Sequence, residues 1–182
     1  MLKNSLFATT VLAAGTLGVA GAFAAADGTT GATSTGNLIV SMQILNQVKI
    51  SNLADVNLGT YTGSNLTGSE AVCAYFNQGA VPAPIQLTVD SNDTPGTFEL
   101  EDGGSNTIPY SITYDDGSGA AAVAAGVAAT GVSVQANNTD DDCVTIGSDT
   151  GTFAFLATAA NITGNPNGTY SEQINITVAP DI

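Results

Sequence analysis

The chain has 182 residues and is strongly acidic, with two basic residues against 16 acidic ones, a net charge of −14, and neither His nor Trp. Because phosphate binding requires clustered Lys and Arg, this composition excludes nucleic acid as a partner, and also electrostatic attraction to an anionic membrane surface. Without His there is no Ser-His or Cys-His nucleophile pair and no imidazole metal ligand. We therefore expect no enzyme activity, no cofactor and no metal site.

Residues 1–24 have the pattern of a secretory signal peptide. Lys3 provides a basic start, an apolar run extends from Leu6 to Phe23, and Ala22-Phe23-Ala24 matches a small-residue cleavage site. No later apolar run reaches the roughly 18–20 residues that a membrane-spanning helix needs. We expect an exported chain that begins near Ala25, in which Lys49 is the only basic residue.

The next segment predicts a flexible leader over 25–36 and an N-terminal strand over 37–45. The leader is small and polar, whereas the strand alternates with a period of two. One face of the strand carries the apolar residues Leu38, Val40, Met42 and Ile44, and the other carries Ile39, Ser41 and Gln43. Such a strand must be buried by a sheet, which either the same molecule or a neighbouring molecule can supply.

The remaining residues, 46–182, predict one domain made of short strands. Apolar and β-branched runs separated by Gly, Asn and Asp turns favour an antiparallel all-β sandwich or barrel. The predicted strands lie within 46–53, 56–61, 71–76, 85–89, 108–114, 153–156 and 170–178. Between them, the Ala- and Gly-rich stretch 119–131 predicts a long, weakly structured connection, and no segment has a convincing helical period.

Two smaller features concern cysteine and acidic residues. Cys73 and Cys143 form an even pair in an exported chain and predict one disulfide. It would close a loop of about 70 residues and stabilise the fold by roughly 4 kcal/mol. The run 140–142 consists of three Asp residues, but successive side chains point in different directions, so we interpret it as a solvated turn rather than a calcium site.

The last predicted strand, within 168–178, alternates with Tyr170, Ile174, Ile176 and Val178 on one face. In an immunoglobulin-like sandwich we would expect a further strand to pair with it. Only 179–182 follow, which is too short. The N-terminal segment 37–45 carries the missing pattern instead.

Three segments together resemble pilin subunits of the chaperone–usher pathway, in particular the alpha-class colonization-factor pilins and the archaic spore-coat-U-like subunits. They are Thr-Gly-Asn-Leu-Ile-Val-Ser-Met-Gln-Ile at 35–44, Val-Asn-Leu-Gly-Thr-Tyr at 56–61, and Gly-Thr-Tyr-Ser-Glu-Gln-Ile-Asn-Ile-Thr-Val at 168–178. The resemblance implies an incomplete immunoglobulin-like antiparallel β-sandwich that lacks its final strand and is completed by a donor strand. The two cysteines and the Ala-rich insert depart from the alpha-class pattern.

The resemblance also implies partners and roles for residues. A periplasmic chaperone would lend the missing strand, and the arm of an identical subunit would replace it at an outer-membrane usher, giving a head-to-tail polymer. The donor residues would be Leu38, Val40, Met42 and Ile44, and the edges of the acceptor groove would include Val48, Ile50, Tyr170, Ile174, Ile176 and Val178.

We therefore expect a structural subunit of a surface fimbria, exported through the periplasm, that serves adhesion or biofilm formation, with a host or surface receptor as a further partner. The alternative is a self-contained secreted β-sandwich adhesin that binds carbohydrate. In that case the strand 38–44 would fold back into its own sheet.

Overall fold

The computed structural model describes residues 25–77, 83–134, 140–144 and 150–181. The chain divides into two compact units between Ile44 and Leu45, and each unit is described by itself. Within the described residues, no helix is long and apolar enough to cross a membrane.

The described part of the first unit, 25–44, is built around one backbone bridge. Ala26 donates to the carbonyl of Asn37 at 3.1 Å, and Asn37 donates back to Ala26 at 2.9 Å. Bends at 30–33 return the chain between these two residues. The segment 38–44 takes part in no β-ladder among the described residues.

The second unit consists almost entirely of antiparallel strands, which confirms the predicted all-β antiparallel fold. A short helix, α1 (Ala159–Ile162), is capped by the side chain of Thr158. The strands are β1 (Val48–Ser51), β2 (Leu66–Phe76), β3 (Ala83–Ser91), β4 (Glu99–Glu101), β5 (Thr107–Pro109), β6 (Ser111–Asp115), β7 (Ala121–Val123), β8 (Ala129–Val134), β9 (Gly151–Ala157) and β10 (Ile174–Pro180).

Two sheets pack face to face around one main core. The first has the strand order β1-β2-β9-β6-β7 and the second has the order β10-β3-β8, while β4 and β5 form a separate hairpin. Alternate residues of each strand point inward, so Val72 and Phe153 from the first sheet meet Leu87 and Val89 from the second. This arrangement is a β-sandwich in which β1, β7, β10 and β8 are the edge strands.

The prediction for 119–131 was wrong, because the structure places β7 and the first part of β8 there. Ala and Gly carry no apolar alternation, so the strand character comes from pairing with β6 and β3. The register of β3 and β8 shifts near Gly131, whose φ of +69° suits glycine. A segment with weak intrinsic preference here becomes a strand through its neighbours.

Other predicted boundaries also moved. The run 108–114 is divided between β5 and β6 at Tyr110, and the run 71–76 extends backwards to Leu66. The run 56–61 forms no ladder with any described segment. The expectation of no helix missed α1, which spans a single turn and is too short to show a period.

The predicted disulfide is present between Cys73 and Cys143, with Cα atoms 5.7 Å apart. It anchors the segment 140–144 beside β1. Ser51 donates to the carbonyl of Asp141 at 3.1 Å, and the side chain of Asn52 donates to the carbonyl of Asp142 at 3.2 Å. The covalent link and these bonds together fasten the end of β1 to its neighbours.

Candidate functional site: an open groove beside β10

The candidate site begins with the free edge of β10. The backbone N–H of Asn92 donates to the carbonyl of Gln173 at 2.8 Å, and the backbone N–H of Asp181 donates to the carbonyl of Pro84 at 3.3 Å. In an antiparallel ladder the bonded pairs alternate, so the odd-numbered residues of β10 face β3. The backbone groups of the even-numbered residues Ile174, Ile176 and Val178 therefore point to the other side, where no described segment pairs with them.

The edge of β1 has the same construction. The backbone N–H of Asn77 donates to the carbonyl of Gln47 at 3.1 Å. Because bonded pairs alternate along an antiparallel ladder, the odd-numbered residues of β1 are the ones whose backbone groups bond to β2. The backbone groups of Val48 and Ile50 thus point away from β2. Their side chains are partly buried against the core, as are those of Ile174, Ile176 and Val178.

The two edges are close together at one end of β10. Cα atoms of β1 and β10 come within 8 Å of one another, and Val48 and Val178 pack against the same small cluster. A strand added between two others needs about 9.5 Å between its neighbours. The edge of β10 therefore approaches β1 near Val178, while its start, at Ile174 and Ile176, borders open space.

An open groove of about 500 Å³ occupies that position. One wall is the unladdered segment 53–58 and the other is 172–176, which includes the start of β10. The floor is aromatic and apolar, with Phe153 and Phe155 from β9 at its base. The groove is also lined by Leu100 and Tyr110 and by three acidic residues, Asp55, Glu70 and Glu172.

The wall 53–58 rests on β2 at a glycine. A Cβ on Gly68 would lie 2.5 Å from Cγ1 of Val56 and 2.9 Å from Cδ2 of Leu58. Only the absence of a side chain at this position allows the segment to approach β2 so closely. Gly68 therefore determines where this wall of the groove stands.

Glu172 places a carboxylate inside this mostly apolar groove. Both of its oxygens are screened from water, and no described residue reaches them with full hydrogen-bond geometry. The Tyr110 hydroxyl is beside it: burial first, and then the Glu172 carboxylate, raise the pKa of Tyr110. Since a carboxylate can accept several hydrogen bonds, most of the accepting capacity of Glu172 is unused.

The predicted groove residues occupy different parts of the structure. Ile174 and Ile176 line the groove, whereas Val48, Ile50 and Val178 lie where β1 and β10 converge. Tyr170 packs on a separate cluster around Ile108, Ala157 and Ile162, and donates to the carbonyl of Pro166 at 3.0 Å. The roles of these residues as groove edges stay predictions.

The predicted donor residues have their side chains in solvent. Leu38 is 71% exposed, Val40 87%, Met42 84% and Ile44 72%. Large apolar side chains in succession are seldom left exposed unless another surface covers them. The segment therefore offers an apolar face for a partner, although its role as donor stays a prediction.

The acidic run is a poor candidate for a metal site. Carboxylate oxygens of Asp140, Asp141 and Asp142 lie within 4.8 Å of one another. Lys49 already contacts Asp141 at 2.9 Å, and this hydrogen bond raises the pKa of the exposed Lys49 ammonium. The structure thus gives Lys49 a partner on the segment that the disulfide holds.

Sequence reasoning missed two groove features, the wall 53–58 and the inward position of Glu70. Glu70 is in phase with Val72 on β2, so its side chain faces the interior. The period of two would have shown this if the strand had been predicted to begin before residue 71. The wall has no such signal, because it contacts β2 without joining a ladder.

No protein-family model matches the sequence, and no curated protein matches it significantly. Among solved structures, the chain is similar to one from a study titled "Chaperone-tip adhesin complex is vital for synergistic activation of CFA/I fimbriae biogenesis", with a TM-score of 0.51 and 19% identity. The match covers 74% of this chain and 42% of the other, so the present chain spans less than half of that protein. The likeness supports a shared all-β, immunoglobulin-like fold.

Proposed function

We propose that this protein is a structural subunit of a surface fimbria and that it polymerises by strand donation. Residues 37–45 of one copy add to the free edge of β10 in the next copy. The observation that carries the proposal is the open edge at Ile174 and Ile176, which lies directly above an apolar groove. An edge strand of this kind is a template for another strand.

The arm has the side chains to fill the groove. Leu38, Val40, Met42 and Ile44 share one face, and all are exposed. Burial of a large apolar side chain contributes about 1.5–3 kcal/mol, so four of them contribute roughly 6–12 kcal/mol before the cost of ordering the arm. Backbone hydrogen bonds to β10 would add direction and register.

The arm and the groove are different surfaces of the same chain, so the contact between copies is head-to-tail. Such a contact leaves one arm and one groove unoccupied at the two ends of the assembly, so successive copies extend a filament instead of closing into a dimer. The function needs no catalysis: a linear fibre for adhesion or biofilm formation follows from repeated strand addition.

The partners in this proposal follow from the open groove. Before assembly it would expose apolar surface and an unpaired strand edge, which favours aggregation. A periplasmic chaperone that covers the groove and an outer-membrane usher that exchanges the chaperone for the next arm would prevent this. The similar solved structure, whose title names a chaperone–tip adhesin complex, supports a chaperone partner.

The experiment compares two aspartate substitutions on opposite faces of the arm. Val40→Asp places a charge on the face proposed to enter the groove, while Ser41→Asp places the same charge on the other face. We expect Val40→Asp to abolish fibres in electron micrographs and SDS-resistant ladders on gels, and Ser41→Asp to retain both. Equal polymerisation of the two variants would contradict strand donation, and a wild-type protein that stays monomeric would favour the self-contained adhesin.

A further inference from the structure

Asn77, the residue that follows β2, holds the point where the arm joins β1. The Oδ1 atom of its side chain accepts from the backbone N–H of Gln47 at 2.8 Å, and its Nδ2 atom donates to the carbonyl of Leu45 at 2.7 Å. The backbone N–H of Asn77 also donates to the carbonyl of Gln47 at 3.1 Å. We call residues 45–47 the arm root. A single residue thus fastens both ends of the arm root to the end of β2.

The side chain of Asn77 acts as an additional rung of the β1–β2 ladder. The last pair of this ladder is Val48–Phe76, so Gln47 lies opposite Asn77. A side-chain amide has the same kinds of donor and acceptor as a peptide group, and it can replace one at the end of a sheet. Leu45 and Gln47 bond on the same side, as alternate residues of a strand do. The arm root therefore continues the line of β1, and it cannot reverse while both side-chain bonds are made.

A reversal at the arm root would let the arm pair with β1 of its own molecule. A three-residue hairpin loop over 45–47 places Ile44 opposite Val48. Two residues farther along, the same register places Met42 opposite Ile50. Val48 and Ile50 are the residues of β1 whose backbone groups point away from β2, and their side chains pack on the core. Opposite residues of an antiparallel pair share a face, so the apolar face of the arm would turn to the core as well.

This internal pairing would compete with donation to another copy. A tethered segment reaches a site on its own molecule at an effective concentration on the order of millimolar when the connection is short. A molecule that used its own arm in this way would have none to donate, and growth of a filament would stop there. Strand donation therefore requires something that disfavours the reversal.

We propose that Asn77 is a latch that keeps the arm from folding back onto its own molecule and leaves it available to another copy. This rests on the proposed strand donation. Reversal at 45–47 breaks both bonds of the Asn77 side chain, and the net contribution of one hydrogen bond changes an equilibrium by about fivefold. Asn77 is thus a positioning residue that selects a polymer over a closed monomer.

The test compares two asparagine substitutions in the full mature chain. Asn77→Ala removes both side-chain bonds to the arm root and keeps the backbone bond to Gln47. Asn165 is also partly buried, and its side chain donates to two backbone carbonyls, those of Asn161 and Ile162. Asn165→Ala is therefore the matched control, because it removes the same number of bonds at a site outside the arm root.

Each protein is unfolded in urea, refolded at low concentration and then concentrated. Size-exclusion chromatography gives the ratio of monomer to polymer, and hydrogen exchange followed by mass spectrometry gives the protection of the 38–44 amides in the monomer. Circular dichroism checks that each variant is folded. Asn77→Asp is a second variant in case Asn77→Ala folds poorly, since its carboxylate cannot donate to the carbonyl of Leu45.

We expect Asn77→Ala to raise the ratio of monomer to polymer about tenfold, and the 38–44 amides of that monomer to be protected. Asn77→Asp should act in the same direction, and Asn165→Ala should match the unmodified protein. Adding Val40→Asp to Asn77→Ala should remove the protection, because the charge then lies on the face that turns to the core. A merely destabilising change would not protect these amides.

The outcomes separate the latch from the fimbrial subunit. If the unmodified protein polymerises and Asn77→Ala polymerises equally, the latch is rejected and the fimbrial subunit stands. If Asn77→Ala yields monomer with unprotected 38–44 amides, the latch is also rejected. If the unmodified protein stays monomeric with unprotected amides and Asn77→Ala gains protection, the latch stands and polymerisation is rejected. An unmodified monomer with protected amides overturns both proposals.

Discussion

The hydroxyl of Thr150 takes the place of a strand partner for Ala74. It accepts from the backbone N–H of Ala74 at 2.6 Å and donates to the carbonyl of Ala74 at 3.1 Å. The β2–β9 ladder ends at the pair Val72–Gly151, so Ala74 lies beyond its last rung. One buried side chain thus extends the hydrogen bonding of the sheet past the end of β9.

Thr150→Val should destabilise the fold by about 1–3 kcal/mol, because it keeps the side-chain shape but removes both bonds to a buried backbone. The measurement is urea unfolding followed by circular dichroism. Thr152→Val, two residues away on an exposed position of β9, is the matched control and should change the midpoint little. Equal midpoints for the two variants would show that the Thr150 hydroxyl is not needed.

Gly68→Ala should displace the groove wall while leaving the core intact. The new Cβ would meet Val56 and Leu58 at 2.5 and 2.9 Å, and both side chains belong to the segment 53–58. We expect at least a tenfold loss in affinity for a synthetic peptide of residues 35–47, measured by calorimetry in the Val40→Asp chain, whose own arm does not compete. Ser69→Ala, on the exposed face of the same strand, should bind normally. Normal binding by Gly68→Ala would mean that this wall does not contact the strand.

Cys73→Ser with Cys143→Ser should lower the free energy of unfolding by roughly 4 kcal/mol, since the disulfide closes a long loop in the unfolded chain. The two cysteines are 70 residues apart in sequence. Urea unfolding of the oxidised protein, the reduced protein and the double variant measures this effect. The last two should agree with each other, and a reduced protein as stable as the oxidised one would contradict the prediction.

Because the pKa of the buried Tyr114 is raised, we expect the folded protein to lose stability in alkali. Burial first, and then the nearby Asp116 and Asp115, raise the pKa of Tyr114 to about 12 in the folded protein. Between about pH 10, the ordinary tyrosine value, and pH 12, the unfolded chain releases a proton that the fold retains. The contribution of Tyr114 to the free energy of unfolding is therefore fully present below pH 10, and it falls by up to about 1.4 kcal/mol per pH unit between pH 10 and pH 12.

Urea midpoints measured from pH 9 to 12 test this dependence, and Tyr114→Phe should reduce its slope. The partly buried Tyr110, whose pKa is also raised, contributes in the same direction, so Tyr110→Phe should reduce the slope further. A slope that is the same in Tyr114→Phe and in the unmodified protein would contradict the assignment.

Local alternation was enough to predict several elements of this fold. The period of two at 85–89 and near Ile174 correctly located β3 and β10, and the even cysteine count correctly predicted the disulfide. The alternation works as a signal because the two faces of a strand have different surroundings. The stretch 119–131 gave no such signal, and its strands arise from pairing with β6 and β3.

By itself, then, the sequence determined the all-β class and the alternating apolar face of 38–44, because both depend on residue types at short and regular spacing. It determined the disulfide through the even cysteine count. Only the tertiary structure decided which edge of β10 no described segment pairs with, that 53–58 faces it across a groove, and that Glu70 and Glu172 line the same space. Those relations join residues far apart in the chain, and packing between two sheets sets them rather than any local pattern.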